Sequence, residues 1–137
     1  MSRVAGFGFR KGAGIDSLLD ALMMAGGMTD LSCISTVQAK AEAPCMRALS
    51  ERLGLPIVAV ASDRLVDANV LTVSQKSIDM YGTGSVSEAA ALIVAGPAAR
   101  LVAPRMLSED RMATCAIARI DPSELENPAG MPEGPTP

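Results

Sequence analysis

This 137-residue chain contains no histidine and no tryptophan, and its aromatic residues stop at two Phe and one Tyr. Without histidine there is no Ser-His or Cys-His nucleophile pair and no imidazole ligand for zinc, so a general base has to be Asp, Glu, Lys, Tyr or Cys. The scarcity of aromatics excludes ring stacking as the main way of holding a planar ligand. Three cysteines, Cys33, Cys45 and Cys115, form no C-x-x-C pair and are odd in number. Neither a metal knuckle nor a disulfide framework is indicated, and a reduced cytoplasmic setting is expected, with no metal and no resident cofactor. The most apolar later segment, residues 86–95, is too short to cross a bilayer, so no membrane association is expected. Twelve Lys and Arg stand against fifteen Asp and Glu, a formal charge of −3. That balance argues against a nucleic-acid partner, which needs a clustered basic excess.

What is present is an aliphatic chain, 49% apolar, whose core must be Ala, Val, Leu, Ile and Met. The length suits one domain, expected over residues 1–120; residues 121–137, rich in Pro, Glu, Gly and Asn, are expected to be a disordered tail. Residues 3–9 read as a strand, and Ile15, Leu18, Leu19, Leu22 and Met23 then fall at helical spacing before Gly26 and Gly27. A second strand over 31–37 is followed by a helix bracketed by Pro44 and Gly54, and a third strand covers 55–60. Ser62 opens a short helical turn, and the chain to residue 80 reads as irregular. Ser85-Val-Ser-Glu88 is a capping box that starts a helix ending at Gly96-Pro97. Strands over 99–103 and 112–120, joined by a polar loop, predict an antiparallel final pair. The fold class is therefore three-layer α/β/α, with a mixed, mostly parallel sheet of about five strands and a ligand site beyond the strand carboxyl ends.

Two glycine loops lie there, residues 6–14 (Gly-Phe-Gly-Phe-Arg-Lys-Gly-Ala-Gly) and residues 81–85 (Tyr-Gly-Thr-Gly-Ser), each feeding a helix. Missing Cβ atoms let backbone N–H groups turn toward an anion, and the helix adds the positive end of its dipole. Gly6, Gly8 and Gly12 depart by one residue from the dinucleotide fingerprint, and the second loop has no G-K-[ST] continuation. A nucleotide-binding domain thus rests on the glycines alone, which also serve as plain strand-to-helix turns. Arg10 and Lys11 sit where they can pair with carboxylates or phosphates. Thr36, Lys40 and Glu42 follow the second strand, and Lys-x-Glu there offers an electrophile and a base as well as a surface ion pair. In the last loop Gly82, Thr83, Ser85 and Glu88 are candidates; capping alone explains Ser85 and Glu88, while Thr83 has no evident structural duty. The Met residues at 23, 24, 28, 46, 106 and 112 read as core filling, and Cys33 as a buried strand residue.

Six segments occur in a recognisable order: V-A-G-F-G-F-R-K-G-A, I-S-T-V-Q-A-K-A-E-A-P, E-R-L-G-L-P, Y-G-T-G-S-V-S-E-A-A-A-L, L-V-A-P-R and A-T-C-A-I-A-R. Over residues 3 to about 119 the chain resembles the family formed by CobE and the C-terminal domain of CbiG, from cobalamin (vitamin B12) biosynthesis. The resemblance implies a tetrapyrrole ligand, a carboxylate-rich precorrin or hydrogenobyrinic acid, in the aerobic pathway. It implies a carrier or accessory role beside the pathway methyltransferases, or, as in CbiG, hydrolysis of a precorrin ring-A lactone with release of acetaldehyde. Lys40 and Glu42 would then be the catalytic pair, and Gly6, Gly8, Arg10, Lys11, Gly12, Thr36, Gly82, Thr83, Ser85 and Glu88 the substrate-binding set. Family members often carry Lys, an acidic residue and Glu before the proline; here Ala43 directly precedes Pro44, leaving Glu42 as the nearby carboxylate.

Overall fold

A computed structural model describes residues 3–81 and 83–120; the expected tail lies outside the described residues. The chain runs β1 (Arg3–Phe9), α1 (Ile15–Ala25), β2 (Leu31–Val37), a 3-10 turn (Gln38–Lys40), α2 (Pro44–Leu53) and β3 (Ile57–Val60). A second 3-10 segment (Ser62–Asp67) leads to α3 (Gln75–Tyr81), α4 (Val86–Ala95), β4 (Ala99–Leu101), β5 (Met106–Leu107) and β6 (Ala113–Ile120). One sheet has the order β3-β2-β1-β6-β4, with β5 also paired to β6. β1, β2 and β3 are mutually parallel, and β6 is antiparallel to β1, β4 and β5. The mixed α/β sheet and its antiparallel final pair are as expected.

The two faces of the sheet are built differently. Ala5, Phe7, Ile34, Cys115 and Ile117 pack with Leu18 and Leu22 of α1 and Met46 and Leu49 of α2. Full burial of a side chain such as Phe7 or Leu22 contributes about 1.5–3 kcal/mol, which makes this the main core. On the other face β1 carries Gly6 and Gly8, and the residues opposite Gly6 and Val4 on β6 are Ala116 and Ala118. Helix α4 settles onto this small-residue surface with its own Ala89, Ala90 and Ala91, all fully buried. A Cβ on Gly6 would lie 2.7 Å from the backbone nitrogen of Ala91 and closer still to the carbonyl oxygen of Ser87. Gly6 is thus required by backbone-to-backbone approach.

Local signals account for the helix limits. Pro44 occupies the first turn of α2, and Gly54 ends it at φ 69°, its N–H donating to the Ser50 carbonyl at 2.9 Å. Ser85 Oγ accepts the Glu88 N–H at 3.3 Å, as the capping box predicts. Three local expectations change. A helix, α3, forms inside the stretch read as irregular, and the polar loop after β4 contains the short strand β5. Met46 is fully buried, but Met23 and Met24 are exposed near the carboxyl end of α1, and Met28 is exposed in the turn beyond it. Cys33 is buried as expected.

Candidate functional site

At the carboxyl ends of β1 and β2 the sheet opens into a cleft of about 930 Å³. Its walls come from the turn after β1, the 3-10 turn after β2, the start of α4, the end of α3, and the segments on either side of β5. Among the described residues, five cationic side chains line it, Arg10, Lys11, Lys40, Arg105 and Arg111, against a single carboxylate, Glu42. Phe9, Met80, Val86, Leu107 and Met112 supply apolar surface between them.

The first loop forms part of the cleft wall. Arg10 N–H donates to the Met112 carbonyl at 2.9 Å and Ala13 N–H returns to the Arg10 carbonyl at 3.0 Å, forming a turn that leaves Arg10, Lys11 and Gly12 exposed. Gly12 has φ +92°, a conformation that a side chain would strain. Lys40 and Glu42 also reach the cleft. Lys40 Nζ donates to the Phe9 carbonyl and sits 4.9 Å from the centre of the Phe9 ring, so this cation ties the end of β2 to the end of β1.

Other expected ligand residues are placed elsewhere. Gly6 lies under α4, and Thr36 is fully buried with its hydroxyl donating to the Phe7 carbonyl at 2.8 Å, a strand-to-strand tie. Of the third loop, Gly82 lies outside the described residues, while Thr83 and Ser85 are buried. Glu88 departs furthest from the binding role expected of it. Its side chain is fully buried and does not turn back to cap its own helix. Oε1 accepts the N–H groups of Leu71 and Thr72 at 2.7 and 2.8 Å, and Oε2 accepts the Thr72 hydroxyl and the Arg105 N–H, both at 2.7 Å. The carboxylate is consumed by two chain segments distant in sequence, which leaves it no capacity for a ligand in this arrangement.

Arg105 and Arg111 are the cleft residues that local sequence patterns miss. Arg105 falls within the family-like L-V-A-P-R segment, which was its available signal. Arg111 adopts φ +62°, rare for a residue with a Cβ. The surrounding turn is pinned by Asp110, whose carboxylate accepts the hydroxyls of Ser108 and Ser17, each at 2.5 Å, and the Met112 N–H at 3.0 Å. These bonds, led by that from Ser108, hold the Asp110 carboxyl below its ordinary pKa. Burial raises the pKa of Cys33, Cys45 and Cys115, so the thiols stay protonated. Among the described residues no group of three or more Cys, Asp or Glu could hold a metal ion, and no helix is long and apolar enough to cross a membrane.

Comparison with known proteins agrees with this architecture. No curated protein matches the sequence. Among solved structures, CobE, a protein from the cobalamin (vitamin B12) biosynthetic pathway, is 27% identical, with 88% of this chain and 91% of that chain covered and a TM-score of 0.76. The cobalamin biosynthesis protein chiG from Agrobacterium tumefaciens is 34% identical, covering 87% of this chain and 98% of that one, at a TM-score of 0.63. A putative cobalamin biosynthesis protein G homolog from Sulfolobus solfataricus shares the fold at 16% identity and a TM-score of 0.66, over 88% of this chain and 37% of that one. The model of the family described as cobalamin synthesis G C-terminus matches residues 3–118, and the chain belongs to that family of cobalamin biosynthesis.

Proposed function

We propose that this protein binds a carboxylate-rich corrin intermediate, a precorrin or hydrogenobyrinic acid, in the cleft at the strand carboxyl ends, as a carrier or accessory protein of the aerobic pathway. The observation that carries this reading is a reversal of charge: a chain with net charge −3 lines one cleft, among the described residues, with five cationic side chains and a single carboxylate. A corrin with acetate and propionate arms has the matching chemistry, an apolar ring edged by anions. The apolar lining from Phe9, Val86, Leu107, Met80 and Met112 suits the ring, and the basic side chains suit the arms. A volume of about 930 Å³ is near the upper end of the usual small-molecule range, as a macrocycle requires. Each charge-assisted hydrogen bond contributes roughly 1.5–3 kcal/mol. A few of them, with apolar burial, can reach the roughly 8 kcal/mol of micromolar affinity after ordering costs.

The test is a visible-absorbance titration of the purified protein with hydrogenobyrinic acid. Saturable spectral change near one corrin per chain supports the carrier reading, and passage of the bound corrin to a pathway methyltransferase would extend it. No binding at hundred-micromolar ligand would overturn it. Turnover of a corrin lactone that disappears in Lys40→Ala while affinity is kept would assign ring-A lactone hydrolysis instead.

A further inference from the structure

The segment between β4 and β5 combines two features that point to a ligand. The Arg105 backbone N–H is held from inside the protein by the buried Glu88 carboxylate at 2.7 Å. Arg105 is itself one of the residues lining the cleft, and its Nε is buried without a hydrogen-bond partner. A buried N–H without an acceptor costs stability, and native structures leave few of them. Here the orphan belongs to a guanidinium in the wall of a cleft rich in positive charge. Its Nε–H and a neighbouring Nη–H form the planar fork that matches the two oxygens of a carboxylate.

We propose that Arg105 is a carboxylate-binding residue of the cleft, its Nε–H taking an oxygen of the incoming ligand, and that Glu88 is the positioning residue that fixes it. This deepens the corrin reading and rests on it only for the identity of the ligand. The division of labour follows from the surroundings. Arg10 and Lys11 stand on an exposed turn, and Lys40 already donates to the Phe9 carbonyl. These residues add positive potential, while Arg105 presents a donor whose backbone is immobilised before the ligand arrives. Glu88 also holds Leu71 and Thr72, next to the cleft residue Ser74, so one carboxylate sets two parts of the wall.

The experiment follows the Arg105 Nε–H resonance in the ¹⁵N-labelled full chain, assigned by its absence from the spectrum of Arg105→Lys. That variant keeps the positive charge and the Arg105 backbone N–H while removing Nε–H. Two probes are titrated, hydrogenobyrinic acid and the small acyclic tricarboxylate tricarballylate. The expected result is a saturable shift of this resonance with both probes and a roughly tenfold loss of corrin affinity in Arg105→Lys. A shift with tricarballylate but no corrin binding would keep the Arg105 assignment and overturn the corrin reading. Normal corrin binding with an unmoved resonance and unchanged affinity in Arg105→Lys would do the reverse. A resonance that neither probe moves, in a protein that binds no corrin, would overturn both. Glu88→Gln, read at a temperature where circular dichroism shows it folded, should displace the Arg105 Nε–H resonance in the free protein and weaken corrin binding several-fold. An undisplaced resonance with wild-type affinity would remove Glu88 from the positioning role.

Discussion

Two turns at the same end of the sheet are used in opposite ways. The turn between β1 and α1 stands open to solvent, with Arg10, Lys11 and Gly12 exposed. The turn into α4 is sealed, with Thr83, Ser85 and Glu88 buried and the Glu88 carboxylate filled by four donors. Both present glycines before a helix, but the first leaves donors and charge for a ligand while the second spends them on the protein. Solvent access and the fate of each donor, which a spacing of glycines does not encode, separate an open turn from a framing turn.

This contrast can be broken or sharpened by substitution. The largest effect is expected from Glu88→Ala, which strands three backbone N–H groups and a hydroxyl. Urea unfolding should show a loss of about 4 kcal/mol, the sum of several unmade bonds to a charged acceptor. A loss below about 1 kcal/mol would mean that water replaces the carboxylate. Next, Gly6→Ala should cost about 3 kcal/mol, because its Cβ meets the backbone of α4 and relief requires moving the helix. An unchanged melting temperature would contradict the close approach of α4 to β1. In the open turn the pattern should invert. Arg10→Ala combined with Lys11→Ala is expected to leave stability within about 0.5 kcal/mol and weaken hydrogenobyrinic acid binding about tenfold, measured by absorbance titration. If instead the double variant unfolds more readily and binds normally, the open turn is structural too.

The smallest effect concerns Asp110. Its pKa is lower in the folded protein than in the unfolded chain, so its contribution is fully present above the unfolded carboxyl value, near pH 4, and is lost as pH falls through the folded value. Melting curves between pH 6 and pH 2 should therefore show a shallower acid-side decline in Asp110→Asn than in the wild type. Parallel curves would show that the Ser17 and Ser108 hydroxyls do not favour the ionised form.

The parts of the fold legible in the sequence are those set by neighbours in the chain. Gly54 ends α2 through its own φ, and Ser85 caps α4 through a bond three residues away. The cleft was legible as a place, because parallel strands followed by helices put their carboxyl ends on one rim, and Arg10, Lys11, Lys40 and Glu42 are found there. What stayed hidden depends on distant partners. The side-chain part of a capping box predicts a bond from Glu88 back to its own turn, but Leu71, Thr72 and Arg105 compete for it from segments sixteen and seventeen residues away. Thr36 had no local sign that its hydroxyl would go to Phe7 across the β1–β2 pair. Arg105 and Arg111 sit in loop sequence without period, and tertiary contacts alone bring them to the cleft.

The interruption between β4 and β5 has a consequence for the protein's behaviour at high concentration. A long, straight outer strand offers free N–H and C=O groups to a second molecule and invites edge-to-edge association. Here that margin is divided into strands of three and two residues, with Pro104 contributing no N–H between them and the Arg105 N–H turned inward to Glu88. The opposite margin, β3, spans four residues. Among the described residues neither border is an extended template for an added strand, so the same break that turns the Arg105 N–H to Glu88 also guards the sheet against self-association.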